Sequence, residues 1–125
     1  MRRINLLSGI FWCLIFSLSC TRQDSNPPVV HFISPELNSF HDLKTDLIVE
    51  IDISDDKMIV EYQFWLESDS GFKYFYDKKI VNRHSHKVLY KIDLSENISS
   101  DISMHVEVID NDGNKTHDSI KISTL

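Results

Sequence analysis

The chain has 125 residues, which is the size of a single ordinary domain. Its 13 Lys and Arg residues are outnumbered by 19 Asp and Glu residues, giving a formal charge of −6 at pH 7. An acidic chain of this kind is a poor candidate for binding nucleic acid or an anionic lipid surface, because both repel negative charge.

The first twenty residues are organised like an export signal. Arg2 and Arg3 form a basic start, and residues 6–16 form an apolar run. This run is too short to span a bilayer, which needs roughly 20 apolar residues. A basic start, a short apolar run and small residues at its end are typical of a secretory signal. We therefore expect residues 1–19 to be removed; an ordinary secreted protein and an uncleaved anchor are the alternatives.

The end of this segment, Ser17-Leu18-Ser19-Cys20, resembles the lipobox of bacterial lipoproteins, where small residues precede a lipidated cysteine. That family usually has Leu three residues before the cysteine, where this chain has Ser17. The resemblance implies that acyl chains on Cys20 attach the protein to a membrane. Loss of residues 1–19 would also remove Cys13 and two Arg residues. The mature chain would then have no free thiol and a formal charge of −8, from 11 basic and 19 acidic residues.

Residues 46–67 are expected to form the centre of the folded part. Leu47 and alternate residues after it are apolar, and the same pattern runs from Val60 to Leu66. Period-two alternation indicates strands that have one face in a core. Between the two runs lies Ser54-Asp55-Asp56-Lys57, whose short polar side chains can bond their own backbone. We therefore predict two strands joined by an acidic turn.

The rest of the mature chain continues this pattern. Residues 20–28 are polar and end in two prolines, which favours a short tether before a domain at 29–125. Residues 78–86 have an irregular, basic pattern. Seven short strands and no helix predict an antiparallel β-sandwich. The predicted strands are 29–33, 47–53, 58–67, 72–77, 87–94, 102–108 and a last strand through Ile120 and Ile122.

Two segments resemble bacterial immunoglobulin-like domains. Residues 27–35 (PPVVHFISP) are similar to the opening strand of these domains, and residues 106–114 (VEVIDNDGN) to the penultimate strand and its turn. With Cys20 in front, the whole chain resembles a small uncharacterised family of Gram-negative lipoproteins that have one immunoglobulin-like domain. This resemblance implies an immunoglobulin-like sandwich at the cell envelope, on the outer membrane. It implies little about function, because such sandwiches have many unrelated roles.

Two acidic segments are candidate calcium ligands. Asp55 and Asp56 lie in the predicted central turn, and Asp110 and Asp112 lie in the last predicted hairpin turn. In an immunoglobulin-like sandwich these two turns lie at the same end, so that their carboxylates could hold Ca²⁺ weakly. The spacing is not that of an EF-hand, because Gly113 follows Asp112 directly. The alternative is that each Asp bonds backbone amides of its own turn.

A second candidate site is an aromatic sheet face. A hairpin closed at residues 68–71 would pair Trp65 with Tyr74, and directly paired residues share a face of the sheet. Trp and Tyr beside polar groups could stack a sugar ring or hold a protein partner. The alternatives are that a loop covers the face or that a bulge reverses the register. The residues predicted for this face are Trp65, Tyr74, Tyr76, His105 and Glu107.

Other motifs indicate little chemistry. His84 and His86 could hold zinc with a third ligand, but the flanking Arg83 and Lys87 would repel a cation, which favours an exposed basic loop. The sequence contains no Gly-x-Ser-x-Gly motif, phosphate loop or nucleophilic cysteine in the mature domain. We therefore expect no catalysis and no required cofactor. The expected role is non-catalytic binding or assembly with an envelope protein; the alternatives are a carbohydrate-binding module and a calcium-stabilised spacer.

Overall fold

The computed structural model describes residues 26–94 and 101–125, so that Cys20 and most of the predicted tether lie outside the described part. All the regular structure in this part is β-strand, as predicted. Nothing in it forms a helix that could span a membrane. The strands are β1 (Val29–Ser34), β2 (Phe40–His41), β3 (Leu47–Ser68), β4 (Lys73–Ile92), β5 (Ile102–Asp110) and β6 (Lys115–Thr124).

Strands β3 and β4 form one long antiparallel hairpin. They have 22 and 20 residues, and they pair from Leu47 opposite Ile92 to Glu67 opposite Lys73. In the connecting turn, the Gly71 N–H donates to the carbonyl of Ser68. Gly71 has a φ of 85°, a left-handed conformation that glycine adopts without a steric penalty.

The hairpin bends, and its two halves belong to two different layers. The first half of β3 lies between β1 and the second half of β4. The second half of β3 lies between the first half of β4 and β5, and β6 and then β2 follow β5. Phe64 from the second half of β3 stacks on Tyr90 from the second half of β4, with ring centroids 4.8 Å apart. The curled sheet therefore packs on itself as a β-sandwich.

The predicted acidic turn is wrong, because residues 54–57 continue β3 as a bulge. Ser54 lies opposite Ser85, and the next paired residue, Ile59, lies opposite Arg83. Strand β3 thus advances five residues while β4 advances two, and the extra residues are left unpaired with β4. The odd-numbered residues from Leu47 to Ile53, and Ile59 after the bulge, are buried, whereas from Tyr62 onwards the even-numbered ones are buried. The buried face therefore changes at a second register shift, which lies between Ile59 and Glu61.

The predicted irregular segment 78–86 is also wrong, since these residues form the middle of β4. Asn82 lies at the bend with a φ of 51°, in the left-handed region that Asn tolerates better than most residues. Two predicted pairs of strands are therefore single long strands. Strand β2 forms between the first two predicted strands, where no strand was predicted, so the described part has six strands rather than the seven predicted.

The core is one apolar cluster between the two layers. Each large side chain removed from water in this cluster stabilises the fold by about 1.5–3 kcal/mol. Its buried members are Leu47, Val49, Ile51, Ile53, Ile59, Tyr62, Phe64, Leu66, Val88, Ile92, Leu94, Ile102, Met104, Val106, Val108, Ile120 and Ile122.

A chain of hydrogen bonds closes the sandwich on the β4 side. The Tyr90 hydroxyl donates to Asp77 Oδ2 over 2.7 Å and lies 3.0 Å from the Tyr62 hydroxyl, which must then act as the donor to Tyr90. Burial, followed by these two hydrogen bonds, raises the pKa of Tyr90 above its usual range. Because Asp77 and Tyr90 belong to opposite halves of β4, this chain ties the two layers together.

We expect Tyr90→Phe to lower the free energy of unfolding by about 1–3 kcal/mol, because in a partly buried place Tyr62 loses its acceptor and Asp77 loses the hydroxyl donor that joins it to the other layer. Tyr76→Phe is the matched control. It removes an exposed hydrogen bond to Gln63 and should change stability by no more than about 0.5 kcal/mol. Urea unfolding of both variants measures the difference, and equal losses would contradict the role given to the chain of hydrogen bonds.

Candidate binding surfaces

Trp65 lies on the outer face of the second layer, in contact with side chains from the neighbouring strands. His105 on β5 stacks against it with centroids 4.9 Å apart and an angle of 2° between the planes. The Lys73 Nζ on β4 lies 5.3 Å from the centroid of the indole. The His117 ring on β6 also stacks on Trp65, with centroids 5.3 Å apart. A sugar ring that stacked on Trp65 would have to compete with these side chains.

The predicted pairing of Trp65 with Tyr74 is wrong, because a bulge between Leu66 and Glu67 shifts the register. Trp65 lies opposite Tyr76 instead. Tyr74 packs against the core, and its ring makes an edge contact with the exposed Phe72. Four of the five residues predicted for this face are on it, and Tyr74 is the exception. The four are Trp65, Tyr76, His105 and Glu107.

The same face contains His117, which the sequence interpretation missed. His105 Nδ1 lies 3.0 Å from His117 Nε2, and the ring centroids are 5.2 Å apart. The two ring centroids are about as far apart as a 3.0 Å contact between ring nitrogens permits, which means that the two nitrogens point at each other. One nitrogen therefore donates a hydrogen bond to the other. His117 lies four residues before Lys121 on β6, and residues separated by an even number lie on the same face of a strand. Lys121 faces the same side as Trp65, so this alternation would have placed His117 there as well.

Acidic side chains surround this pair of histidines. Glu107 lies opposite His117 and makes a 3.3 Å ion pair with Lys115. Glu67 Oε1 lies 2.9 Å from His105 Nε2, but off the direction of a hydrogen bond, so that this buried nitrogen has no well-directed partner in the described part. Burial lowers the pKa of His105, and the carboxylate of Glu67 opposes this effect.

The predicted calcium ligands lie close together, but the carboxylate of Asp110 already accepts hydrogen bonds from its own turn. Its carboxylate accepts hydrogen bonds from the backbone N–H of Asp112 and from the backbone and side chain of Asn114, at 2.8–2.9 Å. Burial acts against these bonds, but together they lower the pKa of Asp110. For Asp110 the structure therefore agrees with the alternative to calcium binding, in which the Asp bonds backbone amides of its own turn. Within residues 26–94 and 101–125, no three His, Cys, Asp or Glu side chains are grouped to hold a metal.

Asp55 differs from the other acids in this group. Burial and its contacts with Asp56 and Asp110 raise its pKa to about 6. Its Oδ2 is buried and meets no donor in the described part, so the carboxyl is best satisfied when it carries a proton. The hydrogen bond that Asp55 then donates lowers the pKa of Asp56. Below about pH 6 the bulge therefore holds a proton beside the end of β5.

The free edge of β4 is a third surface. In the described part, β4 pairs only with β3, so its other edge has no strand beside it. Ile80 and Leu89 on this strand are 66% and 60% exposed. Three lysines of β4 make ion pairs of 3.0–3.2 Å with acidic residues that precede β4 in the chain. The pairs are Lys78 with Glu61, Lys87 with Asp52, and Lys91 with Asp46. The edge thus combines apolar side chains with cations whose charge is balanced within the chain.

No protein-family profile matches this sequence, and no curated protein matches it. Solved structures do match. CopC from Methylosinus trichosporium OB3b is 11% identical with a TM-score of 0.51, over 77% of this chain and 93% of the other. The periplasmic chaperone SfaE is 13% identical with a TM-score of 0.47, over 77% of this chain and 56% of the other. The likeness to CopC supports the β-sandwich and concerns the fold alone.

Asp55→Asn should stabilise the protein at neutral pH. The folded chain holds the Asp55 proton up to about pH 6, while the unfolded chain releases it near pH 3.8. The wild-type free energy of unfolding therefore falls between these values as pH rises, by the contribution of this group. The neutral Asn removes that loss and can still donate to Asp56 and Asp110.

Melting temperatures at pH 4.5 and pH 7.5 test this expectation. The gain of Asp55→Asn over the wild type should be clear at pH 7.5 and small at pH 4.5. Asp112→Asn makes the same charge change at an exposed position of the nearby turn between β5 and β6 and should show no such dependence. A gain that is the same at both pH values would contradict a proton held by Asp55.

Proposed function

We propose that this protein is a lipid-anchored envelope protein whose single immunoglobulin-like β-sandwich is a non-catalytic binding or assembly module. The N-terminal pattern supports the anchor, since Arg2, Arg3 and the apolar residues 6–16 precede Cys20 at the end of a signal-like segment. The anchor belongs on the outer membrane, as the resemblance to Gram-negative lipoproteins implies. The tether of residues 20–28 would separate the sandwich from that membrane.

The observation that carries the binding role is the free edge of β4. A long edge strand can accept another strand, and proteins usually protect such edges with lysines or bulges. Strand β4 has both devices, with Lys78 and Lys79 on one side of the bulge at Asn82 and Lys87 on the other. Ile80 and Leu89 nevertheless remain exposed on the same strand. This combination supports selective pairing with a protein partner.

The geometry gives less support to the two other roles. A carbohydrate-binding module needs an open aromatic face, and Trp65 is already stacked by His105 and His117. A calcium-stabilised spacer needs free carboxylate oxygens, and those of Asp110 accept hydrogen bonds from Asp112 and Asn114. Protein binding at the β4 edge is therefore the function we favour.

The anchor is tested by mass spectrometry of the mature protein from membranes. We expect an N-terminus at Cys20 that carries acyl chains, and we expect Cys20→Ala to be unprocessed or to be released from the membrane fraction. An unmodified Cys20 in membrane-bound protein would contradict the anchor. It would leave the binding role of β4 to be judged on its own test.

The binding role is tested by a photoreactive amino acid placed at Leu89. Irradiation of intact cells should give one adduct of defined mass, and an additional Ile80→Asp should abolish it. The same amino acid at the exposed Lys115 on β6 is the control and should give no such adduct. Equal labelling from both positions, or none from Leu89, would exclude the β4 edge as the docking surface.

A further inference from the structure

A cavity of about 490 Å³ lies where the β3–β4 hairpin bends. It is lined by residues of both strands. Ser54 and Ser85 lie directly opposite each other in the ladder between these strands, next to the bulge of β3. The lining residues are Asp52, Ile53, Ser54, Arg83, Ser85, His86 and Lys87.

Four of these side chains have hydrogen-bond donors that the described part of the protein does not use. The hydroxyls of Ser54 and Ser85 and the guanidinium of Arg83 have no hydrogen-bond or ion-pair partner among residues 26–94 and 101–125. The His86 ring contacts the Tyr62 ring, with centroids 5.6 Å apart, and makes no hydrogen bond there. Unused donors from both strands therefore line one cavity.

Few side chains in the cavity can accept a hydrogen bond, and the carboxylate among them, Asp52, is already paired with a lysine. The carboxylate of Asp52 lies 3.0 Å from Lys87 Nζ, which also bonds Glu50. The charge of Arg83 has no such compensation. Burial, followed by the positive charges of Arg83 and Lys79, lowers the pKa of His86, as expected in a local positive potential. This cavity therefore has a local positive potential that attracts anions, although the chain as a whole is acidic.

We propose that this cavity binds a phosphate-type oxyanion, with the Arg83 guanidinium as its main contact. The planar fork of Arg can give two parallel hydrogen bonds to one phosphate group. The hydroxyls of Ser54 and Ser85 can reach the remaining oxygens. A tetrahedral oxyanion suits donors that approach from several directions better than a carboxylate does. The phosphate could belong to a soluble compound or to a lipid headgroup.

The test uses the full chain in a maltoside detergent, which contains no phosphate. Inorganic phosphate is titrated while NMR follows the His86 ring and the amides of Ser54 and Ser85. We expect saturable shifts with a dissociation constant of the order of 1 mM, as befits an open site. Sodium acetate at the same ionic strength should leave these signals unchanged.

Three variants define the contact. Arg83→Ala should weaken phosphate binding at least tenfold, and Arg83→Lys, which keeps the charge and loses the fork, should weaken it less. Lys115→Ala makes the same charge change on another strand and should bind as the wild type does. Without phosphate, Arg83→Ala should raise the pKa of His86, which shows that the variant folds and that the two groups interact.

The outcomes separate the proposal from simple screening. No saturable shift, equal shifts with acetate, or unchanged binding in Arg83→Ala would overturn it. A second arm adds vesicles of phosphatidylcholine with and without phosphatidylglycerol. Competition between these vesicles and inorganic phosphate would assign the site to lipid headgroups, and phosphate binding without competition would assign it to soluble phosphate compounds.

Discussion

The bend of the β3–β4 hairpin is the constraint on which the rest of the structure depends. A straight strand of 22 residues would be roughly 70 Å long, while a 100-residue domain has a radius of gyration of about 13 Å. The hairpin can bury its apolar face only by bending back on itself. The bend lies at residues 54–58 of β3 and at Asn82 of β4. The contact of Phe64 with Tyr90 and the chain from Tyr62 to Asp77 then hold the two halves together.

Particular residues explain how far the sequence predicted this fold. Alternation marked the buried faces of β3 on both sides of residues 54–58, and the residues it marked are buried in the structure except Val60, which is half-buried. In the sequence the apolar residues of β3 change from odd-numbered to even-numbered positions, and such a change fits either a turn or a bulge. Short acidic side chains favoured the turn, and only the long pairing with β4 made the bulge the stable solution. The prediction of an all-β domain is confirmed, while the immunoglobulin-like details stay a prediction.

The candidate surfaces show the same limit at the level of single residues. Trp65, His105 and Glu107 were placed on one face by alternation alone, which holds along an uninterrupted strand. Tyr74 was misplaced because the bulge between Leu66 and Glu67 lies beyond what alternation reveals. The meeting of Asp55 with Asp110 was expected from the resemblance. The raised pKa of Asp55 that results from this contact was not expected, because it depends on burial and on which neighbours offer hydrogen-bond donors.

The cations of β4 connect protection of the edge with recognition. Six of the 13 Lys and Arg residues of the chain lie on this one strand, although the chain as a whole is acidic. Lysines on an edge discourage indiscriminate pairing, and those at positions 78, 87 and 91 also make ion pairs with neighbouring acids. Arg83 has no such partner in the described part. Edge protection needs only a charge, so it does not account for a guanidinium beside two free hydroxyls. A ligand that uses the fork of Arg83 does account for it.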